Sequence, residues 1–160
     1  MYKHFLSSSL ALLLSIFASF TYAGSGHDHD FPVGVITKQQ VLENAGFAIS
    51  YNGFELNERD LELSQYWGKN VRVEVYFGMW CHDSEREVPR LIKVLDNQPD
   101  VKLSLFALDI KKQDPEGIAK AKGVKYTPTI IVYMDNQEVG RIIERPDVSL
   151  TEDIQQMLAK

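Results

Sequence analysis

Residues 71–95 read VRVEVYFGMWCHDSEREVPRLIKVL, and this stretch changes periodicity in its middle. Val71–Phe77 is β-branched and aromatic, the composition of a strand. Beyond it, Val88, Leu91, Ile92 and Leu95 recur at helical spacing, which predicts a helix over 82–96 with one buried stripe. Pro89 lies inside that helix and predicts a kink, because proline removes a backbone donor and crowds the preceding turn. The chain's single cysteine, Cys81, stands where strand hands over to helix. A thiol there faces unpaired backbone N–H groups and the positive end of the helix dipole, and both favour thiolate over thiol. His82, when protonated, adds to that effect, while Asp83 and Glu85 oppose it. The two acids are also accounted for as first-turn partners of the dipole. Three residues after Cys81, where a redox dithiol would carry its second sulfur, the chain has Ser84. Ser84 either donates a hydrogen bond to the Cys81 thiolate one turn away or satisfies the local backbone. The competing account of Cys81 is that of a small buried hydrophobe; the polar residues around it favour a reactive thiol.

Downstream, residues 101–108 read as a second strand. Asp114-Pro115 is a cap followed by proline at the first helical position, and Gly123 ends that helix. Residues 129–134 and 138–143 read as strands joined by Asp135-Asn136-Gln137, short enough for a hairpin. Ser149 and Glu152 form a capping box opening a helix over 149–160 that buries Leu150, Ile154, Met157 and Leu158. The order strand–helix–strand–helix–strand–strand–helix makes an α/β domain, with crossover pairing in parallel and the hairpin adding an antiparallel edge.

Upstream the signals weaken. Thr37-Lys38-Gln39-Gln40 is a capping box opening a short helix to about Ala45. Residues 47–50 alternate weakly, and Asn52-Gly53 is a turn signal before Phe54-Glu55-Leu56. Asn57 caps a helix that stops at Gly68.

The first 23 residues read as a cleavable secretory signal: a short basic start through Lys3, an apolar run over 5–20, and Thr21-Tyr22-Ala23 ending in small residues. A membrane anchor wants about 20 apolar residues, and five serines interrupt this run. No cysteine near Ala23 offers itself for lipid attachment. Residues 24–36 are expected to form a flexible linker containing GSGHDHD at 24–30. His27, Asp28, His29 and Asp30 carry metal-ligand chemistry, but a polar tetrad without a partner cluster reads as a solvated tether. No metal is expected. The domain is expected over 37–160, with its core at 71–160 and an N-terminal extension at 37–70.

The chain carries 17 Lys+Arg against 22 Asp+Glu, a formal net charge of −5, with no basic run. That balance argues against nucleic acid and anionic membrane as partners. One cysteine forbids an internal disulfide, and an unpaired thiol in an oxidising compartment is either reactive or paired between molecules.

Taken together, these residues resemble the thioredoxin family. Trp80-Cys81 opening a helix is similar to that family's Trp-Cys-x-x-Cys site, Pro89 matches its helix proline, and Tyr126-Thr127-Pro128-Thr129 looks like its cis-proline loop. The resemblance covers 71–160. It implies a thioredoxin-like three-layer fold, a central mixed sheet flanked by helices. It implies a cis Thr127–Pro128 bond whose preceding backbone, at Thr127, pairs with an extended client segment, where the residues alone read Pro128 as the start of an edge strand. It also implies that Trp80 shields the thiol and offers apolar contact, against plain core packing. Two departures matter. Ser84 replaces the resolving cysteine, and Val75 stands where many thioredoxins bury an aspartate, with Glu74 expected on the opposite face.

The expected function is that of a secreted or periplasmic thiol–disulfide oxidoreductase working by a monothiol route, with Cys81 and Ser84 at its centre. Trp80, His82, Thr127 and Pro128 would meet the substrate. Its partners would be disulfide- or thiol-containing clients, low-molecular-weight thiols and a redox partner that resolves the mixed disulfide. No cofactor is expected. The alternative is a binding or chaperone-type protein that retains clients through Cys81, and a third reading is a scaffold without redox role.

Overall fold

The computed structural model describes residues 31–160, and the expected signal, most of the linker and the His27–Asp30 tetrad lie outside them. Five strands form one mixed sheet: β1 (Gly34–Ile36), β2 (Val71–Phe77), β3 (Lys102–Ala107), β4 (Thr129–Met134) and β5 (Gln137–Ile143), in the order β1-β3-β2-β4-β5. β2 and β3 are parallel, joined by α4 (His82–Leu95); β1 pairs antiparallel with β3, and β4 antiparallel with both β2 and β5. The remaining helices are α1 (Lys38–Leu42), α2 (Ala45–Gly53), α3 (Glu58–Ser64), α5 (Ile118–Ala121) and α6 (Leu150–Leu158).

Alternation along the central strands divides the apolar residues between two layers. Val71, Val73, Val75 and Phe77 of β2, with Ile130 and Val132 of β4, join Val88, Leu91 and Ile92 of α4 and Ile154 of α6 in the main core. Tyr76, Ile131 and Tyr133 face the other way and pack with Leu108 and with Ala119 of α5. This is the α/β domain that the element order predicts, in the thioredoxin-like arrangement that the resemblance implies. α4 runs unbroken through Pro89. Among the described residues no helix is long and apolar enough to cross a membrane.

Four local expectations are corrected. Residues 47–50 and 52–53, read as a weak strand and a turn, lie in α2, because Asn44 caps it through Gly46 N and Phe47 N, and Phe47 is drawn into the core against Phe77. The first helix accordingly ends at Leu42. Gly34–Ile36, assigned to the linker, is edge strand β1, hydrogen-bonded to β3. Finally, Asp114 does not open a helix at Pro115. Its carboxylate reaches forward to Ile118 N and Ala119 N, and α5 starts after Gly117, whose φ is +71°.

The segment before β2 is joined to the last helix by polar contacts. Asp60 takes the Asn57 N–H in a capping box and also accepts a hydrogen bond from the Thr151 hydroxyl at 2.5 Å. Trp67 Nε1 donates to Gln155 Oε1 at 3.0 Å. Both Asp60 and Thr151 are buried. On the hairpin side, Asp135 and Asn136 carry φ of 52° and 66°, the left-handed pair that a two-residue turn requires.

Candidate active site

Cys81 occupies the N-cap of α4, with φ −98° and ψ 122°, and no side chain caps the helix. The N–H groups of the first helical turn are therefore left without a capping oxygen at the position where the sulfur sits. The thiol is half-buried and donates to the Thr127 carbonyl oxygen at 3.2 Å. Thr127 and Pro128 are buried, and the bond between them is cis. The Pro128 carbonyl is held in turn by the Glu144 N–H at 2.7 Å. Two loops 46 positions apart in the sequence, 78–81 and 126–128, thus meet at one sulfur.

Trp80 is fixed beside the thiol. Its Nε1 donates to the Leu108 carbonyl at 3.2 Å, and the Lys112 ammonium lies 5.8 Å from the ring centroid. The ring lies directly over Gly78: a Cβ there would stand 2.5 Å from the indole. Sequence reading missed Gly78. The available signal was a glycine at the strand exit, two residues before a tryptophan, which marks a close approach.

Ser84 is fully buried, and its Oγ accepts from the Gly78 N–H at 3.3 Å. Of the two roles open in the sequence, the hydrogen bond present is the one to local backbone. His82 is exposed, and its side chain has no hydrogen-bond or ion-pair partner among the described residues. Asp83 is paired with Arg86 at 2.8 Å, and Arg86 also donates to buried Glu87 at 2.5 Å. The Glu87 bond, opposed by burial and helped by Asp83, holds the Arg86 guanidinium above even its ordinary range. The Glu85 carboxyl group packs on Gly46 at the start of α2. Asp83 is thus engaged within α4, and Glu85 ties α4 to α2.

Val75 is buried in the main core, and Glu74 lies on the opposite face. There Glu74 pairs with Arg72 and accepts from the hydroxyls of Tyr76 at 3.0 Å and Tyr133 at 2.9 Å. No carboxylate therefore reaches Cys81 from β2. No group of three or more His, Cys, Asp or Glu that could hold a metal occurs among the described residues.

Residues 34–157 match the family model described as Thioredoxin. The chain belongs to the thioredoxin family. A curated relative, the thiol-disulfide oxidoreductase ResA of Bacillus thuringiensis subsp. konkukian (strain 97-27), is 26% identical over 81 residues, covering 51% of this chain and 46% of that protein. The match therefore spans less than half the length of that relative. Among solved structures, an HIV epitope-scaffold superimposes with a TM-score of 0.54 at 18% identity, covering 79% of this chain and 87% of the other. A protein of unknown function from Pseudomonas aeruginosa superimposes with a TM-score of 0.50 at 22% identity, covering 79% and 75%. These two likenesses concern the fold.

Proposed function

We propose that this protein catalyses thiol–disulfide exchange by a monothiol route through Cys81. The observation that carries the reading is the placement of the thiol: at an uncapped helix start, half-exposed, and 3.2 Å from the carbonyl of the residue before Pro128. As a thiolate, Cys81 attacks one sulfur of a client disulfide R–S–S–R′. The Cys81–S–S–R bond forms, the client S–S bond breaks, and its electron pair leaves with R′–S⁻, which takes up a proton from water. Ser84 has no sulfur to complete the cycle. An external thiolate R″–S⁻ attacks the client sulfur and expels the Cys81 thiolate, so that R–S–S–R′ and R″–SH become R–S–S–R″ and R′–SH. Trp80, with its ring over Gly78, gives the client an apolar wall, and the Thr127 backbone gives it an edge to lie along. Exposed His82 stands at the rim.

The organisation that goes with this reading is a secretory signal at 1–23, a linker, and a domain that works in the periplasm or outside the cell. What supports it is the basic start, the serine-interrupted apolar run and the small residues before Ala23.

The test is turnover of a peptide disulfide with excess glutathione. Wild type should complete many cycles, while Cys81→Ser, which keeps a hydroxyl donor for the Thr127 carbonyl and should fold normally, should complete none. Formation of one equivalent of a stable mixed disulfide without turnover would replace catalysis with client retention.

A further inference from the structure

Four lysines lie on two segments that lead to the Cys81 site, one contacting Trp80 through Lys112 and the other running into Thr127. Lys111 and Lys112 follow β3 in the loop after Leu108, whose carbonyl holds Trp80. Lys120 and Lys125 lie on α5 and the segment that leads into Thr127. The sequence scatters these residues, but the fold gathers them around one groove of about 450 Å³, lined also by Gln113, Gly123 and Val124. Lys111, Lys120 and Lys125 are exposed, and none of the four forms an ion pair among the described residues; Lys112 meets only the Trp80 ring. Lys122, by contrast, is engaged by the Tyr133 hydroxyl at 2.8 Å on the sheet face.

The acids Asp109 and Asp114 in the same segment are held by backbone groups rather than by these lysines. The Asp109 carboxylate accepts from Lys111 N and Gln113 N, and that of Asp114 accepts from Ile118 N and Ala119 N, so both serve the backbone. Glu116 is exposed. Residues 109–125 hold five lysines against three acids in a chain whose formal net charge is −5. The segment that contacts Trp80 through Lys112 and leads into Thr127 is thus net positive, against the sign of the whole molecule.

We propose that this surface docks acidic polypeptide segments that flank the client's disulfide, and so selects acidic clients for Cys81. The inference rests on the exchange reading and adds a substrate class to it. A polypeptide fits better than a small anion because apolar side chains alternate with the cations: Ile110 is 74% exposed, Tyr126 51%, and the Trp80 ring lies against Lys112. Such a mixed rim matches a chain segment carrying both side-chain types. Cations lining a groove raise the local concentration of anionic partners and the rate of productive encounter, an effect that salt screens.

The experiment compares two synthetic peptide disulfides that differ only in having Asp or Lys on both sides of the cysteine. At low ionic strength the acidic peptide should react with Cys81 about tenfold faster than the basic one, and the ratio should fall toward one near 0.5 M salt. Combining Lys111→Gln, Lys112→Gln, Lys120→Gln and Lys125→Gln should collapse the same ratio. A ratio is used because a general folding defect slows both peptides alike. Equal rates for the two peptides overturn the proposal, as does a ratio indifferent to the four substitutions. Oxidised glutathione, favoured over neutral dithiodipyridine as strongly as the acidic peptide is over the basic one, would point to a small anion and also overturn it. If no disulfide reacts, dithiodipyridine included, the exchange reading falls by itself. Equilibrium binding of the two peptides with serine in place of cysteine then decides: tighter binding of the acidic one sustains the docking surface, and equal binding rejects it.

Discussion

The Gly78 N–H donates to the Ser84 hydroxyl at 3.3 Å, a bond that joins the end of β2 to the first turn of α4 around Cys81. Both residues are buried, so the serine is part of how the thiol loop is folded as well as the place where a second sulfur is missing.

Ser84→Ala should therefore cost about 1–3 kcal/mol, the penalty for leaving a buried donor without a partner, measured by urea denaturation. Ser84→Cys should restore a dithiol one helical turn apart. Under oxidising conditions its two thiols should disappear together from a free-thiol titration of the monomer, and reductase activity with a dithiol recycling system should rise. Retention of both free thiols would mean that the two positions do not face each other.

Gly78→Ala should displace the Trp80 ring. The new methyl would stand 2.5 Å from a rigid indole, and the loss of the Trp80–Leu108 hydrogen bond follows from any movement of that ring. Overpacking of this kind costs about 1–3 kcal/mol. Chemical denaturation gives the cost, and exchange rates with peptide disulfides should fall by more than those with small neutral ones, because only the peptides use the apolar wall.

Asp60 and Thr151 should be strongly coupled. A double-mutant cycle of Asp60→Ala and Thr151→Val should give an interaction energy of about 2 kcal/mol, in the range for buried hydrogen bonds to a charged group. A coupling near zero in denaturant unfolding would mean that the bond is not formed in solution.

Alkaline pH should unfold the protein through Tyr76. Burial first, then its hydrogen bond to Glu74 and the charge of that carboxylate, raise the Tyr76 hydroxyl well above its ordinary value of 10.0. The neutral form is the one the fold accepts. Its contribution is complete below the unfolded value and is lost as pH climbs from there through the folded one. Stability should then decline above about pH 10, and Tyr76→Phe should flatten that decline when unfolding free energy is followed against pH. An unchanged alkaline slope would sink the assignment.

Most of the fold from Val71 onward is legible in the sequence because its elements are long and face distinct layers. β2 alternates across the sheet, α4 shows a single apolar stripe, and Ser149 caps α6 through the Glu152 N–H. The earlier part is less legible for a physical reason. Residues 45–53 carry an Asn-Gly pair and no clear period, and what makes them helical is the Asn44 cap together with contacts to α4, such as Lys93 Nζ donating to the Tyr51 carbonyl at 2.9 Å. Gly34–Ile36 is three residues long, too short to show a period. At the site, Cys81 and Trp80 announce themselves by position. The partner of Ser84 and the closeness of Gly78 to Trp80 are matters of distance, which spacing alone leaves open.

The Asp60–Thr151 bond spans 91 positions of sequence, and the Trp67–Gln155 bond spans 88. On a chain made from its N-terminus, the α3 segment thus waits for nearly the last residues before its buried carboxylate and indole find their partners. Closing so long a loop carries an entropic cost that only completed packing returns. A nascent chain that lacks α6 would hold an Asp60 carboxylate without its Thr151 partner and an open core, so it would stay pliable until synthesis ends. If the secretory reading proposed above holds, late closure keeps the chain unfolded for passage through a translocation channel.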